Sequence, residues 1–296
     1  MYPRVTIKDS GMEDVSYHNN QLVYMTVYAN QTWPELEKRL KKTKTVLFPV
    51  GSTEQHGHHL GVGADWIQAE AIAHRVGEKC DALVLPTLCY GVSGHHKEFT
   101  GTLTLSTGTY TEAIYEILKS LARYGVERVV FMNGHGGNNT GLMLAAKRAR
   151  DDYGMLCAIC TWWDILSNES ILGHPAEQHA GYAETSFTLS ARPEAVRIEK
   201  ANCMATKQLD DDIQFTRAGL ARYKNGVVKI PLQTADVTDT GSMTETHPDD
   251  HPSVEDYSKI TPEYAEKLMI KVVDWMCSFL KDFDEMKYPE SNIRRP

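Results

Sequence analysis

The chain offers little that would direct it to a membrane, to nucleic acid or through a secretory route. Nowhere in its 296 residues does an uninterrupted apolar run approach the roughly 18–20 residues that a spanning helix needs. The opening MYPRVTIKDSGMED lacks an apolar stretch of signal-peptide length, so a cytoplasmic location is the expectation. Acidic residues outnumber basic ones, 39 to 31, which argues against a nucleic-acid surface. The basic cluster KRLKKTK at 38–44 reads as the solvated end of a helix. Cysteine is sparse: Cys80, Cys89, Cys157, Cys160, Cys203 and Cys277 are scattered, and LCAIC has no second C-x-x-C to complete a zinc site. They read as reduced thiols rather than a disulfide framework. Low-complexity and Pro/Gly-rich tracts are missing, as are linkers and internal repeats, so one domain over 1–296 is expected.

What is present is an alternation of short apolar runs and longer helical patterns. KTVLFPV (44–50), ALVLPT (82–87), ERVVFMNG (127–134) and MLCAICTWW (155–163) have strand character. Between them, 64–80, 107–126 and 138–154 carry apolar residues at helical spacing. Strand, helix, strand, helix with continuous apolar strands predicts right-handed crossover units and a parallel sheet covered on both faces. Beyond these, 183–196 reads as a helix ended before Pro193, and 260–286 as an amphipathic helix with Pro262 in its first turn. The stretch 200–250 is irregular, with QFTRAGLARYKNGVV as a loop or hairpin insertion.

Ligands of such sheets bind beyond the carboxyl ends of the strands, and the polar clusters fall there. GSTEQHGHHLGVGADW (51–66) follows the first strand. Asp65 taken alone makes a good helix N-cap. Taken as a set, Glu54 and His56 alternate in an extended stretch and point the same way, and Asp65 can return to them after a Gly-rich reversal. Carboxylate, imidazole and carboxylate in a glycine frame suit a divalent ion. NGHGGN (133–138) follows another strand. It could cradle phosphate at a helix N-terminus, but it lacks the G-x-G-x-x-G spacing and a following lysine, and His135 among small neighbours makes a better ligand. In HAGYAETS (179–186), His179 precedes Glu184 by five residues.

These three segments, in this order, resemble the fingerprint of the creatininase family of metal-dependent amidohydrolases, over about residues 40–195. GVSGHHKEFTGTLTLS (91–106) is similar to a further family segment through Ser93, His96, Phe99, Gly101 and Thr102. The resemblance implies a three-layer α/β/α fold with a mostly parallel sheet, a two-metal centre of zinc, manganese or iron, and hexamers. It assigns the metals to Glu54, His56, Asp65, His135 and Glu184, with Asp65 bridging, and the expected chemistry is attack of a metal-bound hydroxide on a carbonyl carbon. His179, beside Glu184, is then the candidate proton shuttle, because imidazole titrates near neutrality. Ser93, His96, Trp162, Trp163 and Asp164 are candidate substrate contacts, the tryptophans as a flat apolar wall.

The resemblance has limits. Creatininase itself carries a tyrosine and a metal-binding glutamate after the turn histidine, where this chain has Gly136 and Gly137, so Glu184 is expected to supply the carboxylate and creatinine is not specifically indicated. Doubled histidines at 58–59 and 95–96 imply a more polar or basic pocket. The leading expectation is hydrolysis of a small cyclic amide or related carbonyl compound. Its rivals are ring opening of a diketo-cyclitol and a non-catalytic nucleotide-binding module. HPDDHP (247–252), with Glu245, His247, Asp249 and His251, reads as a loop whose prolines prevent helical alignment.

Overall fold

The computed structural model describes residues 26–166, 179–201, 206–217, 219–243 and 257–287. Glu245, His247, Asp249 and His251 lie outside them. Helix α1 (Trp33–Lys42) opens with a capping box between Thr32 and Glu35 and leads into β1 (Thr45–Val50). There follow α2 (Ala64–Cys80), β2 (Leu83–Val84), α3 (Thr107–Arg123), β3 (Arg128–Asn133), α4 (Asn139–Tyr153) and β4 (Leu156–Cys160). The strands form one parallel sheet in the order β2-β1-β3-β4.

Strand periodicity sends alternate side chains to opposite faces, and each face acquires its own core. Leu47, Val130 and Met132 meet Ala69, Ile72 and Val76 of α2. Val46, Phe48, Val129 and Phe131 meet Ile114 and Leu118 of α3 and Leu142 and Ala145 of α4. Each fully buried large apolar side chain contributes roughly 1.5–3 kcal/mol. Helices α5 (Trp162–Leu166), α6 (Tyr182–Ala191) and, after a three-stranded antiparallel sheet, α8 (Pro262–Glu285) join α2 on its side. The architecture is a three-layer α/β/α sandwich. The small sheet, β5 (Ile213–Arg217), β6 (Leu220–Tyr223) and β7 (Gly226–Val228), occupies the region expected to hold a hairpin, and the short α7 (Thr234–Val237) follows it.

Local chemistry sets the boundaries. Ser106 Oγ accepts from Thr109 N to open α3, and Thr261 Oγ1 accepts from Tyr264 N to open α8. Gly154, at φ 69°, ends α4. Two expectations are corrected. The strand at 82–87 shrinks to Leu83–Val84, with Pro86 unable to donate to a ladder. The strand at 155–163 stops at Cys160: Thr161 Oγ1 accepts from Asp164 N (3.3 Å), so Trp162, Trp163 and Asp164 open a helix. Gly63 precedes α2, and Asp65 sits in the first turn of that helix rather than capping it.

The register pairs Val50 with Asn133. It therefore delivers the loop after β1 and the turn after β3 side by side at one rim of the sheet, beside the start of α2.

Candidate metal centre

At that rim five side chains converge in the interior. Glu54, His56, Asp65, His135 and Glu184 are all buried. Asp65 Oδ1 lies 3.0 Å from His56 Nε2, and Asp65 Oδ2 lies 3.2 Å from His135 Nδ1. Glu54 Oε1 is 3.3 Å from His135 Nδ1, and Glu184 Oε2 is 3.6 Å from His56 Nε2. The two oxygens of Asp65 thus face two groups of ligand atoms, Glu54 with His135 on one side and His56 with Glu184 on the other.

Backbone geometry fixes which ring nitrogen each histidine presents. His56 Nδ1 donates to Glu54 O (3.2 Å), freeing Nε2 for the centre. His135 Nε2 donates to Val92 O (3.0 Å), with Ser93 Oγ 3.3 Å away, freeing Nδ1. Such outer partners orient a ligand and set its tautomer. Space is equally constrained: a Cβ at Gly137 would run into Val92 O and His135 Nε2, and one at Gly51 into the backbone of Trp66. Glycine is required at both for the chain to approach this closely.

The electrostatics of the cluster suit a bound cation. Glu54 Oε1 and Oε2, Asp65 Oδ2 and His56 Nε2 are buried without a hydrogen-bond partner, and such groups cost several kcal/mol unless charge compensates them. Protonated imidazoles are the compensation within the chain. Burial opposes the charge on His56, but Asp65 and Glu184 override it and raise this group to about 10. His135 is likewise raised, against burial, by Glu54 and Asp65. Glu54 and Asp65, also against burial, are held below the usual carboxylate range by these histidines. Glu184 is pushed up to about 7 by burial. Oxygen and nitrogen donors at this separation suit divalent zinc or manganese, and Glu54, Asp65 and His135 have ligand atoms within 4.8 Å of one another.

His179 lies against the centre. Its Nε2 donates to Gln55 O (2.8 Å), which leaves Nδ1 as the open position, 3.8 Å from Glu54 Oε1. Burial, reinforced by His56, lowers it to about 3, so the ring is neutral at pH 7. The next residue, Ala180, is held at φ 58°, an uncommon conformation for a residue with a Cβ. Its N donates to Glu184 Oε2 (2.7 Å) and its O accepts from Tyr257 Oη (3.0 Å).

The other expected contacts divide. His96 stacks on His179 and its Nε2 is 3.4 Å from Glu54 Oε1, so it borders the centre. Ser93 sits behind His135, in contact with Ser52, and orients that ring rather than facing open space. Trp162 is fully buried against Phe187, with Trp163 edge-on to it, and Asp164 accepts from Thr161 Oγ1 (2.6 Å). Trp162 thus belongs to the hydrophobic core, and Trp163 is half-buried at the edge of that core. Sequence reasoning missed Gln55, whose Nε2 donates to His96 Nδ1 (2.8 Å) and Gly241 O (3.2 Å) while its Oε1 accepts from Gly57 N (2.9 Å). Alternation was the available signal: between Glu54 and His56, residue 55 must point the other way. It also missed Gln68, which ties α2 to α6 through Glu184 O and Thr188 Oγ1.

The family model described as creatinine amidohydrolase (creatininase) matches residues 29–280. The chain belongs to the creatininase family. Among relatives, the creatinine amidohydrolase of Pseudomonas putida is 35% identical over 192 residues, 57% of this chain and 73% of that protein. The mycofactocin precursor peptide peptidase of Mycolicibacterium smegmatis is 34% identical over 184 residues, 59% of this chain and 68% of that one. The 3-dehydro-scyllo-inosose hydrolase of Thermotoga maritima is 25% identical over 183 residues, covering 59% of this chain and 58% of its own. A manganese creatininase structure superposes at a TM-score of 0.70 with 25% identity, covering 88% of this chain and 99% of that one. A mutant creatininase of the Zn–Zn type gives 0.71 at 24% identity with the same coverage. This creatininase-family chain thus has hydrolases as its relatives and carries residue groups able to hold metal.

Proposed function

We propose that the chain is a dinuclear metal-dependent amidohydrolase, acting as a single domain on a small cyclic amide or related carbonyl compound. The observation that carries this reading is the placement of Asp65, one oxygen toward His56 and Glu184, the other toward Glu54 and His135. Glu54, Asp65 and His135 would hold one divalent ion, and His56, Asp65 and Glu184 the second, as zinc, manganese or iron. When bound, the ions would supply a water acidified to near neutrality and a Lewis acid for a carbonyl oxygen.

The chain's own residues do the rest. His179, neutral and tethered through Nε2 to Gln55 O, offers Nδ1 to take a proton and return it to the departing nitrogen. Glu184 joins ligand and shuttle, since its Oε2 faces His56 and also holds Ala180 N, next to His179. His96, stacked on His179, borders the space where a small planar substrate would sit. A homo-hexamer is proposed by family resemblance. A cytoplasmic, reducing setting suits the free cysteines of the described residues.

Ring opening of a diketo-cyclitol is not favoured: the relative named for related chemistry is 25% identical, below the creatinine amidohydrolase at 35%. Metal analysis of the full chain together with a substrate panel tests the proposal. The expected outcome is about two ions per chain and release of amine and carboxylate from cyclic amides. One ion or none per chain, or turnover confined to oxidised cyclitols, would overturn it.

A further inference from the structure

Helices α2 and α8 meet along a ladder of side-chain contacts. Arg75 Nη1 is 2.6 Å from Glu266 Oε1, and Lys79 Nζ is 2.5 Å from Asp274 Oδ1. The last rung joins the final residue of α2 to the middle of α8: Cys80 Sγ and Cys277 Sγ stand 3.0 Å apart. A disulfide bond is about 2.05 Å long, so the sulfurs need to close by only about 1 Å. The ion pair at Lys79 and Asp274, one helical turn before Cys277, already holds the helices in register. Cys80 is exposed and Cys277 partly so, and a small reagent can reach the pair in the folded protein.

We propose that Cys80 and Cys277 form a modification site, a reversible intrachain disulfide made by exchange with a low-molecular-weight disulfide and stapling α8 to α2. One protein thiolate attacks the small disulfide, giving a mixed disulfide and releasing one small thiol. The second protein thiolate attacks the protein sulfur of that mixed disulfide and expels the other. The protein loses two S–H bonds and gains one S–S bond, and the reagent is reduced to two thiols carrying the protons. Partial burial and the neighbouring Cys277 sulfur push the Cys80 thiol up to about 12, so Cys80 rests as a thiol near neutrality and exchange through it quickens in alkali.

The two cysteines are 197 residues apart in sequence, and the closed loop takes in β2, β3, β4, α3, α4 and α6. A cross-link of that span removes much freedom from the unfolded chain. Helix α2 begins beside Asp65 and ends at Cys80, so the staple lies about 22 Å along the helix from the bridging carboxylate. It should therefore brace the ligand-bearing layer without changing the chemistry.

The test incubates the metal-loaded full chain with oxidised glutathione at mildly alkaline pH and digests it without reductant. The expected result is a loss of two hydrogens from the intact mass, a reducible peptide pair containing Cys80 and Cys277, and a Tm higher by roughly 5–10 °C. Reduction should reverse all three, with metal content unchanged throughout. Cys80→Ser and Cys277→Ser should each abolish the link and the added Tm, and the exposed position of Cys80 makes the first the safer variant for folding. A persistent glutathione adduct without the 80–277 link, a link through another cysteine, or a link that leaves Tm unmoved would overturn the proposal.

Discussion

On one face of the sheet, α3 and α4 turn Tyr110, Ile114, Leu118, Leu142 and Ala145 toward Phe48 and Phe131 and leave their charged side chains outside. On the other face, α2 and α6 bring Asp65, Gln68, Glu184 and Thr185 into the interior beside Ile72 and Phe187. The first layer gains stability from apolar burial. The second gives some of it back, because carboxylates and imidazoles lie buried with unsatisfied atoms. A bound cation would restore the balance, and on the proposed function the second layer should respond to metal and pH where the first does not.

Removing Asp65, the proposed shared ligand, should break this contrast most severely. Asp65→Ala should abolish turnover and bring metal content below one ion per chain, measured by elemental analysis, with the circular dichroism spectrum retained because the α3–α4 layer is intact. Next in size, His179→Ala should lower kcat by about 10²–10⁴-fold and leave metal content unchanged; loss of the metal would show that His179 is a ligand.

Acidity sharpens the comparison. Against burial, Asp65 and Glu184 raise the folded value of His56 from 6.5 to about 10. Its pairing with Asp65 and Glu184 stabilises the fold fully below pH 6.5 and ceases to do so as pH rises through about 10. An ion must displace this proton, so metal affinity should climb with pH below about 10, roughly tenfold per unit for each proton released. Calorimetric titration in buffers of different ionisation enthalpy counts those protons, and pH-independent affinity would contradict the scheme. The smallest effect on the centre belongs to the opposite layer: Leu118→Ala should cost about 2–5 kcal/mol of unfolding free energy in denaturant titration, with kcat and metal content per folded molecule unchanged.

The contrast also explains what could be read in advance. The bounds of α2 and the last residue of β1 follow from hydrophobic periodicity, and Glu54, His56, Asp65 and His135 from ligand chemistry at strand ends. Glu184 needed the family pattern, since a carboxylate in a helix carries no mark of its own. LCAICTWW misled because a continuous apolar run has no period to separate strand from helix; the hydroxyl of Thr161 decides the switch and sends Trp162 into the core. Alternation could have turned Gln55 away from Glu54 and His56, but its bond to Gly241, distant in sequence, is invisible to local reasoning.

The crowding at Gly137 has a consequence for the history of such centres. With Val92 O and His135 Nε2 occupying the space where a side chain would begin, a glutamate cannot be introduced there by a single substitution without displacing the 91–96 segment. Exchange between the proposed ligand scheme and one that draws its carboxylate from the turn would therefore demand coordinated changes in two segments, so close homologues should inherit one arrangement or the other intact.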